Sequence, residues 1–258
     1  MIVARTLGEL RSWRDAVDSE ARVGFVPTMG ALHKGHTSLI ERSRATCDAT
    51  AVSIYVNPTQ FDNADDLASY PDTLQDDLAR LEALSVDCVF VPAYQDLYPD
   101  DFAYRIEERQ FSSTLCGAHR PGHFTGVLTV VMKLLNLVQP DAAFFGEKDF
   151  QQLTLIRNMV DAFFMNVEIV GCPTIRESDG LAMSSRNLNL APSDRRQAPI
   201  FHEILEKASS DDDARRQLGE AGFLVDYVET IEGRRLGAVT VGPTGQSVRL
   251  IDNTELEM

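Results

Sequence analysis

Two histidines three residues apart, His33 and His36, stand in the stretch Pro27-Thr28-Met29-Gly30-Ala31-Leu32-His33-Lys34-Gly35-His36. Imidazoles so placed can both face one phosphate and donate to it as charge develops. Gly30 and Gly35 let the backbone pass close to a ligand, and a helix starting just beyond supplies N–H groups for an anion. This is not a Walker A loop, because no Gly-Lys-Ser/Thr follows the glycines. A zinc site is the weaker alternative. Helical zinc histidines usually stand at i and i+4 with a third ligand, and the other histidines are His119, His123 and His202. A second polar cluster is Gly146-Glu147-Lys148-Asp149-Phe150-Gln151-Gln152, in which Lys148 and Gln152 are four apart and are expected to share a helix face. A third, Met183-Ser184-Ser185-Arg186, offers two hydroxyls and a guanidinium after the Asp179-Gly180 turn, suited to a polyphosphate. Asn57-Pro58-Thr59-Gln60-Phe61 and His119-Arg120-Pro121-Gly122-His123-Phe124 add two more. Each cluster alone also fits an ordinary turn or a solvated ion pair.

The elements that must position these residues alternate in kind. Short apolar runs at 23–27, 51–56, 88–91, 142–145 and 167–171 read as strands. Helical patterns fall between them: 37–45, the Leu74, Leu78, Leu81 series, 127–138, and the face Leu153, Ile156, Val160. Strands alternating with helices predict an α/β fold, a Rossmann-like parallel sheet with helices on both faces. In such sheets ligands bind beyond the carboxyl ends of the strands, where several of the clusters lie. The pattern changes near Asn187. Residues 1–186 are expected to form the catalytic domain and 187–258 a small α+β C-terminal domain.

Length and composition agree with this. At roughly 150 residues per domain, 258 residues make one large domain or two unequal ones. Hydrophobic residues at 44% and charged residues at 24% are ordinary for a globular chain. The formal net charge of -15 argues against a nucleic-acid partner. Residues 62–108 hold thirteen acids against Arg80 and Arg105, a balance of -11, so the acidity marks one solvated face. The longest apolar stretch, 127–138, is broken by Thr129, Lys133 and Asn136, which predicts no membrane span. The N-terminus has no signal-peptide pattern. Cys47, Cys88, Cys116 and Cys172 have no metal-knuckle or CxxC spacing and read as reduced thiols of a cytoplasmic protein.

Taken together, the clusters resemble a known family. The first stretch is similar to the HxGH signature of nucleotidyltransferases, and Met183-Ser184-Ser185-Arg186 to that superfamily's KMSKS-type loop. With Asn57-Pro58-Thr59-Gln60-Phe61, Arg120-Pro121-Gly122-His123-Phe124 and Phe145-Gly146-Glu147-Lys148-Asp149-Phe150-Gln151-Gln152, the order resembles the pantothenate synthetase (pantoate–β-alanine ligase) family. The resemblance implies ATP-dependent condensation of (R)-pantoate with β-alanine through a pantoyl adenylate, releasing pyrophosphate and then AMP. It implies catalytic roles for His36, the proton donor, and for His33 and Lys148. It implies ATP contacts at Met29, Gly30, Ala31, Leu32, His33, Lys34, Gly35 and His36, and at Gly146, Glu147, Lys148 and Asp149. Ile175, Met183, Ser184, Ser185 and Arg186 complete that set. Pantoate falls to Gln60 and Gln152, and β-alanine to Gln60. Mg²⁺ would arrive on ATP, with Asp76 a weak candidate to reach it through water. A homodimer is also implied.

Two positions depart from the family pattern: Thr59 stands where Met is usual, and Asp72 where Arg is usual. The resemblance also implies a C-terminal domain longer than this one. The competing enzyme is another HxGH adenylyl- or cytidylyltransferase acting on a phosphorylated acceptor; Gln60 and Gln152 argue against it, since a phosphate dianion wants Arg or Lys. A nucleotide-sensing module without catalysis would need neither the substrate amides nor both histidines.

Overall fold

Adjacent strand residues point to opposite faces of a sheet, yet Phe25 and Val26, Ala51 and Val52, Val89 and Phe90, and Phe144 and Phe145 are all buried. Both faces of this sheet are therefore covered, as a parallel sheet requires. A computed structural model describes residues 1–62, 64–68, 70–243 and 246–256, without the side chains of 64 and 65. The side chain of Asp65, counted in the acidic segment, thus lies outside the described residues. The strands are β1 (Ile2–Ala4), β2 (Val23–Thr28), β3 (Ala49–Ile54), β4 (Cys88–Phe90), β5 (Ala142–Gly146) and β6 (Glu168–Cys172). They pair in parallel in the order β1-β4-β3-β2-β5-β6. From β2 the chain builds outward through β3 and β4, then returns to add β5 and β6 on β2's other side. The direction reverses between β2 and β5, so the crevice at their carboxyl ends is the expected ligand position.

On one face Val26, Val52, Val89 and Phe144 pack with Leu39 and Ile40 of the Lys34–Thr46 helix and Leu81 of the Leu74–Ala83 helix. The His123–Val138 helix buries most of its surface, including Val127, Leu128, Val131 and Leu135.

The chain forms two compact units: Met1–Glu147 with Gln151–Cys172, and Lys148–Phe150 with Pro173–Met258. This division falls earlier than the change of pattern near Asn187. The reason is packing. Arg176 bridges to Ala182 in a short antiparallel turn, and Leu181 is buried in the second unit's core with Phe201, Leu205, Leu218 and Leu250. That unit's antiparallel sheet is β7 (Leu224–Ile231), β8 (Arg234–Val241) and β9 (Val248–Glu255), with the helices Pro199–Lys207 and Asp211–Glu220 against it. No helix among the described residues is long and apolar enough to cross a membrane, and none of the four cysteines forms a disulfide.

Candidate active site

The loop after β2 is built from its own polar atoms. Thr28 donates from Oγ1 to the Ser53 carbonyl at 2.7 Å and accepts from the Gly30 N–H at 3.1 Å. Gly30 (φ 83°) and Ala31 (φ 50°) are both left-handed, a conformation that disfavours a side chain at Ala31. Asp77 holds it there. Its Oδ2 accepts from the Ala31 N–H at 2.8 Å and from Thr73 Oγ1 at 2.9 Å, and its Oδ1 accepts from the Leu32 N–H at 2.9 Å. Arg80, one turn further along the same helix, donates to the Leu32 carbonyl. Asp77 is 2% exposed. Its spacing from Leu74, Leu78 and Leu81 puts it on their helix face, a signal that sets it apart from its acidic neighbours and that the sequence reading passed over.

A hydrogen bond to a charged acceptor contributes about 1.5–3 kcal/mol. Asp77→Asn keeps the shape but turns an NH₂ toward one loop donor. It is expected to destabilise the protein by about 1–3 kcal/mol in urea unfolding. A change below about 0.5 kcal/mol, the range of an indifferent surface site, counts against the clasp.

His33 and His36 cap the following helix reciprocally. His33 Nδ1 accepts from the Gly35 N–H at 3.1 Å, and His36 Nδ1 accepts from the His33 N–H at 3.3 Å. Their rings stand 4.1 Å apart at 35°. With both Nδ1 lone pairs engaged by the backbone, a neutral ring carries its proton on Nε2 in each case. The His36 and Thr37 N–H groups bond to the His33 carbonyl. Backbone donors expected from sequence to serve an anion are thus largely used within the turn, and the imidazole Nε2–H groups become the loop's donors. Both rings are half-buried, whereas Lys34 is exposed.

Gln60 is oriented from behind. Asn57, 1% exposed, donates from Nδ2 to Gln60 Oε1 at 3.0 Å and to the Gly126 carbonyl at 3.3 Å. Asn57 Oδ1 in turn accepts from Thr59 Oγ1 at 3.0 Å and from the Tyr98 hydroxyl at 2.9 Å. Burial pushes the Tyr98 hydroxyl up to about 12, so it stays a donor. With Oε1 fixed, the Gln60 amide N–H points to Met29 Sδ at 3.1 Å, a weak acceptor, on the nucleotide loop. The Gln60 carbonyl accepts from His123 Nδ1 at 2.8 Å and from Arg120, and Arg120 also pairs with Asp62. The Arg120-Pro121-Gly122-His123-Phe124 cluster therefore supports the turn that carries Gln60. A Cβ on Gly126 would come within 2.3 Å of the Thr59 carbonyl, so glycine is what lets the turn lie against the His123–Val138 helix.

The expected helical pairing of Lys148 with Gln152 does not form as such. Glu147–Asp149 is a 3₁₀ turn, and the α-helix begins at Phe150. Gly146, Glu147 and Gln152 belong to the first unit, Lys148 and Asp149 to the second. Gln152 is half-buried. Its neighbour Gln151 is a structural staple, bonded to the Cys116 N–H and to the Phe111 and Thr114 carbonyls.

In the second unit, the Met183 N–H donates to the Ile175 carbonyl at 2.9 Å across the Arg176–Ala182 bridge, with Gly180 (φ 91°) at the turn. The two segments assigned to ATP there are thus neighbours. Ser184 caps the Ser185–Asn189 turn, accepting from the Arg186 N–H at 3.3 Å, and residues 183–186 are all half-buried. Arg195 holds the turn through Glu177 and Asp179, and it keeps the Asp179 carboxyl below its ordinary range.

Asp76 does not fit a resident metal. It is exposed, and no group of three His, Cys, Asp or Glu side chains among the described residues could hold an ion. Asp72, the other departure from the family pattern, is exposed as well.

Burial holds His202 below its ordinary value of 6.5; Asp252, 3.4 Å away, opposes this, and Arg176 reinforces it. The unfolded ring takes up a proton near 6.5 and the folded ring only at lower pH. Stability is therefore expected to fall as pH drops below about 6.5, and His202→Gln to flatten that limb in melting curves. An unaltered acid limb in the variant assigns the slope to other groups.

A turn of glycines and stacked histidines at the switch point of a parallel sheet marks a nucleotide-binding α/β enzyme. The chain belongs to the pantoate–β-alanine ligase family, whose sequence profile matches residues 2–255. It is 50% identical to the pantothenate synthetase of Bdellovibrio bacteriovorus and 46% identical to that of Legionella pneumophila. In each case 98% of this chain and 99% of the relative are covered. The C-terminal domain is therefore not short against these relatives. The crystal structure of the Francisella tularensis pantoate–β-alanine ligase, complexed with a β,γ-ATP compound and β-alanine, superposes with a TM-score of 0.92. It is 42% identical and covered over 97% of its length, against 99% of this chain. The Thermus thermophilus pantothenate synthetase gives 0.89 at 40% identity, with 99% of both chains covered.

Proposed function

We propose that this chain joins pantoate to β-alanine with ATP, through a pantoyl adenylate. Family membership supports the overall reaction. The observation that carries the acceptor's identity is the Gln60 amide, fixed by Asn57 and directed toward the nucleotide loop at Met29. A neutral donor suits the hydroxyl or carboxylate of pantoate, whereas a phosphate acceptor needs a cation.

In the first step a pantoate carboxylate oxygen attacks the α-phosphorus of ATP, the bond to the bridging oxygen breaks, and pyrophosphate leaves. In the second, the β-alanine amine attacks the acyl carbon, AMP leaves on its phosphate oxygen, and the amine gives up a proton. The substrate carboxylate is the nucleophile, so the protein's work is positioning and charge stabilisation. His33 and His36 donate from Nε2 to the phosphates; Lys148 adds a positive charge. Gln60 and Gln152 take pantoate, with Gln60 near β-alanine as well. Gly146 and Asp149 serve the ribose side, Ile175 the adenine, and residues 183–186 the triphosphate. Mg²⁺ enters with ATP as part of the substrate. A homodimer in the cytoplasm completes the reading, consistent with cysteines that form no disulfide and with the family resemblance.

The test is ATP/pyrophosphate exchange. Exchange that requires pantoate but not β-alanine, with AMP accumulating once β-alanine is added, is the expected result. Pyrophosphate release only with a phosphorylated acceptor such as glycerol 3-phosphate would transfer the chain to the competing chemistry.

A further inference from the structure

Along β9 the buried residues alternate as Val248, Leu250 and Asp252, which places a carboxylate at the end of an apolar stripe. Asn253, next to it, is buried too, and each is only 3% exposed. Buried polar groups of this kind are tolerated when fully bonded. Here the bonds lead to two separate segments. Asp252 takes a bidentate pair from Arg176, at 2.6 and 2.9 Å, and Arg176 also donates to the Gly180 carbonyl at 3.1 Å and to the Asn253 carbonyl at 3.3 Å. Asn253 donates from Nδ2 to the Lys148 carbonyl at 2.9 Å. Its Oδ1 accepts from Arg234 at 2.6 Å, and the Arg234 guanidinium lies over the Phe150 ring at 4.8 Å.

We propose that Asp252 and Asn253 are positioning residues for the nucleotide. Asp252 sets the turn that pairs Ile175 with Met183, and Asn253 sets the main chain at Lys148. The inference rests on the reading of Lys148, Ile175 and residues 183–186 as ATP contacts. Two adjacent side chains on one strand thereby hold both of the second unit's nucleotide segments in a single bonded cluster. A stability role alone could be met by apolar residues continuing the stripe. The bonds instead terminate on the backbone of Lys148 and on the base of the Arg176 turn, the two places whose position decides where the cation and the hydroxyls stand. Displacement of a catalytic group by about 1 Å can lower a rate on the order of 100-fold.

The test is Asn253→Asp, which keeps size and the acceptor for Arg234 but turns a carboxylate oxygen toward the Lys148 carbonyl. Two half-reactions are measured: pantoate-dependent ATP/pyrophosphate exchange, and conversion of chemically made pantoyl adenylate with β-alanine. Exchange is expected to fall by about 10- to 100-fold, with a raised KM for ATP, while the bypassed second step stays within about threefold of wild type. If Asn253→Asp does not fold, Asn253→Ala, which removes the donor without adding charge, is read in the same two assays. Equal losses in both half-reactions, or no loss in either, overturn the proposal, since a purely structural residue cannot separate them. Absence of exchange in the wild type would instead remove the reaction assigned above, so the two failures are distinct.

Discussion

Replacing His36 by alanine is expected to lower pantoate-dependent ATP/pyrophosphate exchange by about 10²–10⁴-fold and to leave the protein folded. The ring accepts a long bond from the His33 N–H at 3.3 Å and packs against the His33 ring at 4.1 Å. Its Nδ1 is engaged by the backbone, so the group it offers a ligand is the Nε2–H, a donor held rigidly at the start of a helix. A preorganised donor aimed at developing phosphate charge is worth more in the transition state than in the ground state. The loss should therefore fall mainly on kcat, with the KM for ATP rising less. His36→Gln, which can restore a donor at similar reach, should recover part of the rate. Exchange within a few-fold of wild type in His36→Ala, at unchanged melting temperature, would remove the histidine from the reaction.

How much of this was legible in the sequence depended on distance along the chain. The Gly30 turn and the His33–His36 pair are local: left-handed glycine, an extended cap and helical spacing are all written within ten residues. The alternation of strands and helices fixed the sheet's class by the same local logic. The partners of Asp77 were not legible, because Ala31 and Leu32 lie 46 and 45 residues away, although its spacing from Leu74, Leu78 and Leu81 already puts it on the buried helix face. Its neighbour Asp76, the weak candidate to reach ATP-borne Mg²⁺ through water, is exposed, as its place off that helix face requires. Lys148 and Gln152 looked like one helix face since four-residue spacing cannot tell an α-helix from a 3₁₀ turn running into one. Residues 173–186 fall in the second unit because Arg176 finds Asp252 76 residues on, a long-range pair that no change of composition announces.

Gln60→Ala is expected to weaken pantoate far more than ATP. The amide is not a loose surface group. Asn57 fixes its oxygen, and its N–H faces the Met29 sulfur, a weak acceptor, so a polar ligand that reaches Gln60 finds a donor already oriented. Alanine leaves the hydroxyl or carboxylate of pantoate without that partner, a loss of about 1–3 kcal/mol. That corresponds to about 5- to 150-fold in Kd. Thr59, the departure from the family pattern, tests the same network from behind. Its hydroxyl donates to Asn57 Oδ1, but Tyr98 donates to the same oxygen at 2.9 Å. Thr59→Met should thus be mild, because one donor still pins the Asn57 amide. Thr59→Val combined with Tyr98→Phe removes both, frees Asn57 to turn over, and should approach the Gln60→Ala loss, a non-additive pair. Calorimetric titration of ATP alone, then of pantoate in the presence of ATP, separates the two ligands for every variant. An unchanged pantoate response in Gln60→Ala, or a loss confined to ATP, would leave the turn a structural support of the His123–Val138 helix. Gln152 would then carry the acceptor's identity alone, and a phosphorylated acceptor would become the better reading of the site.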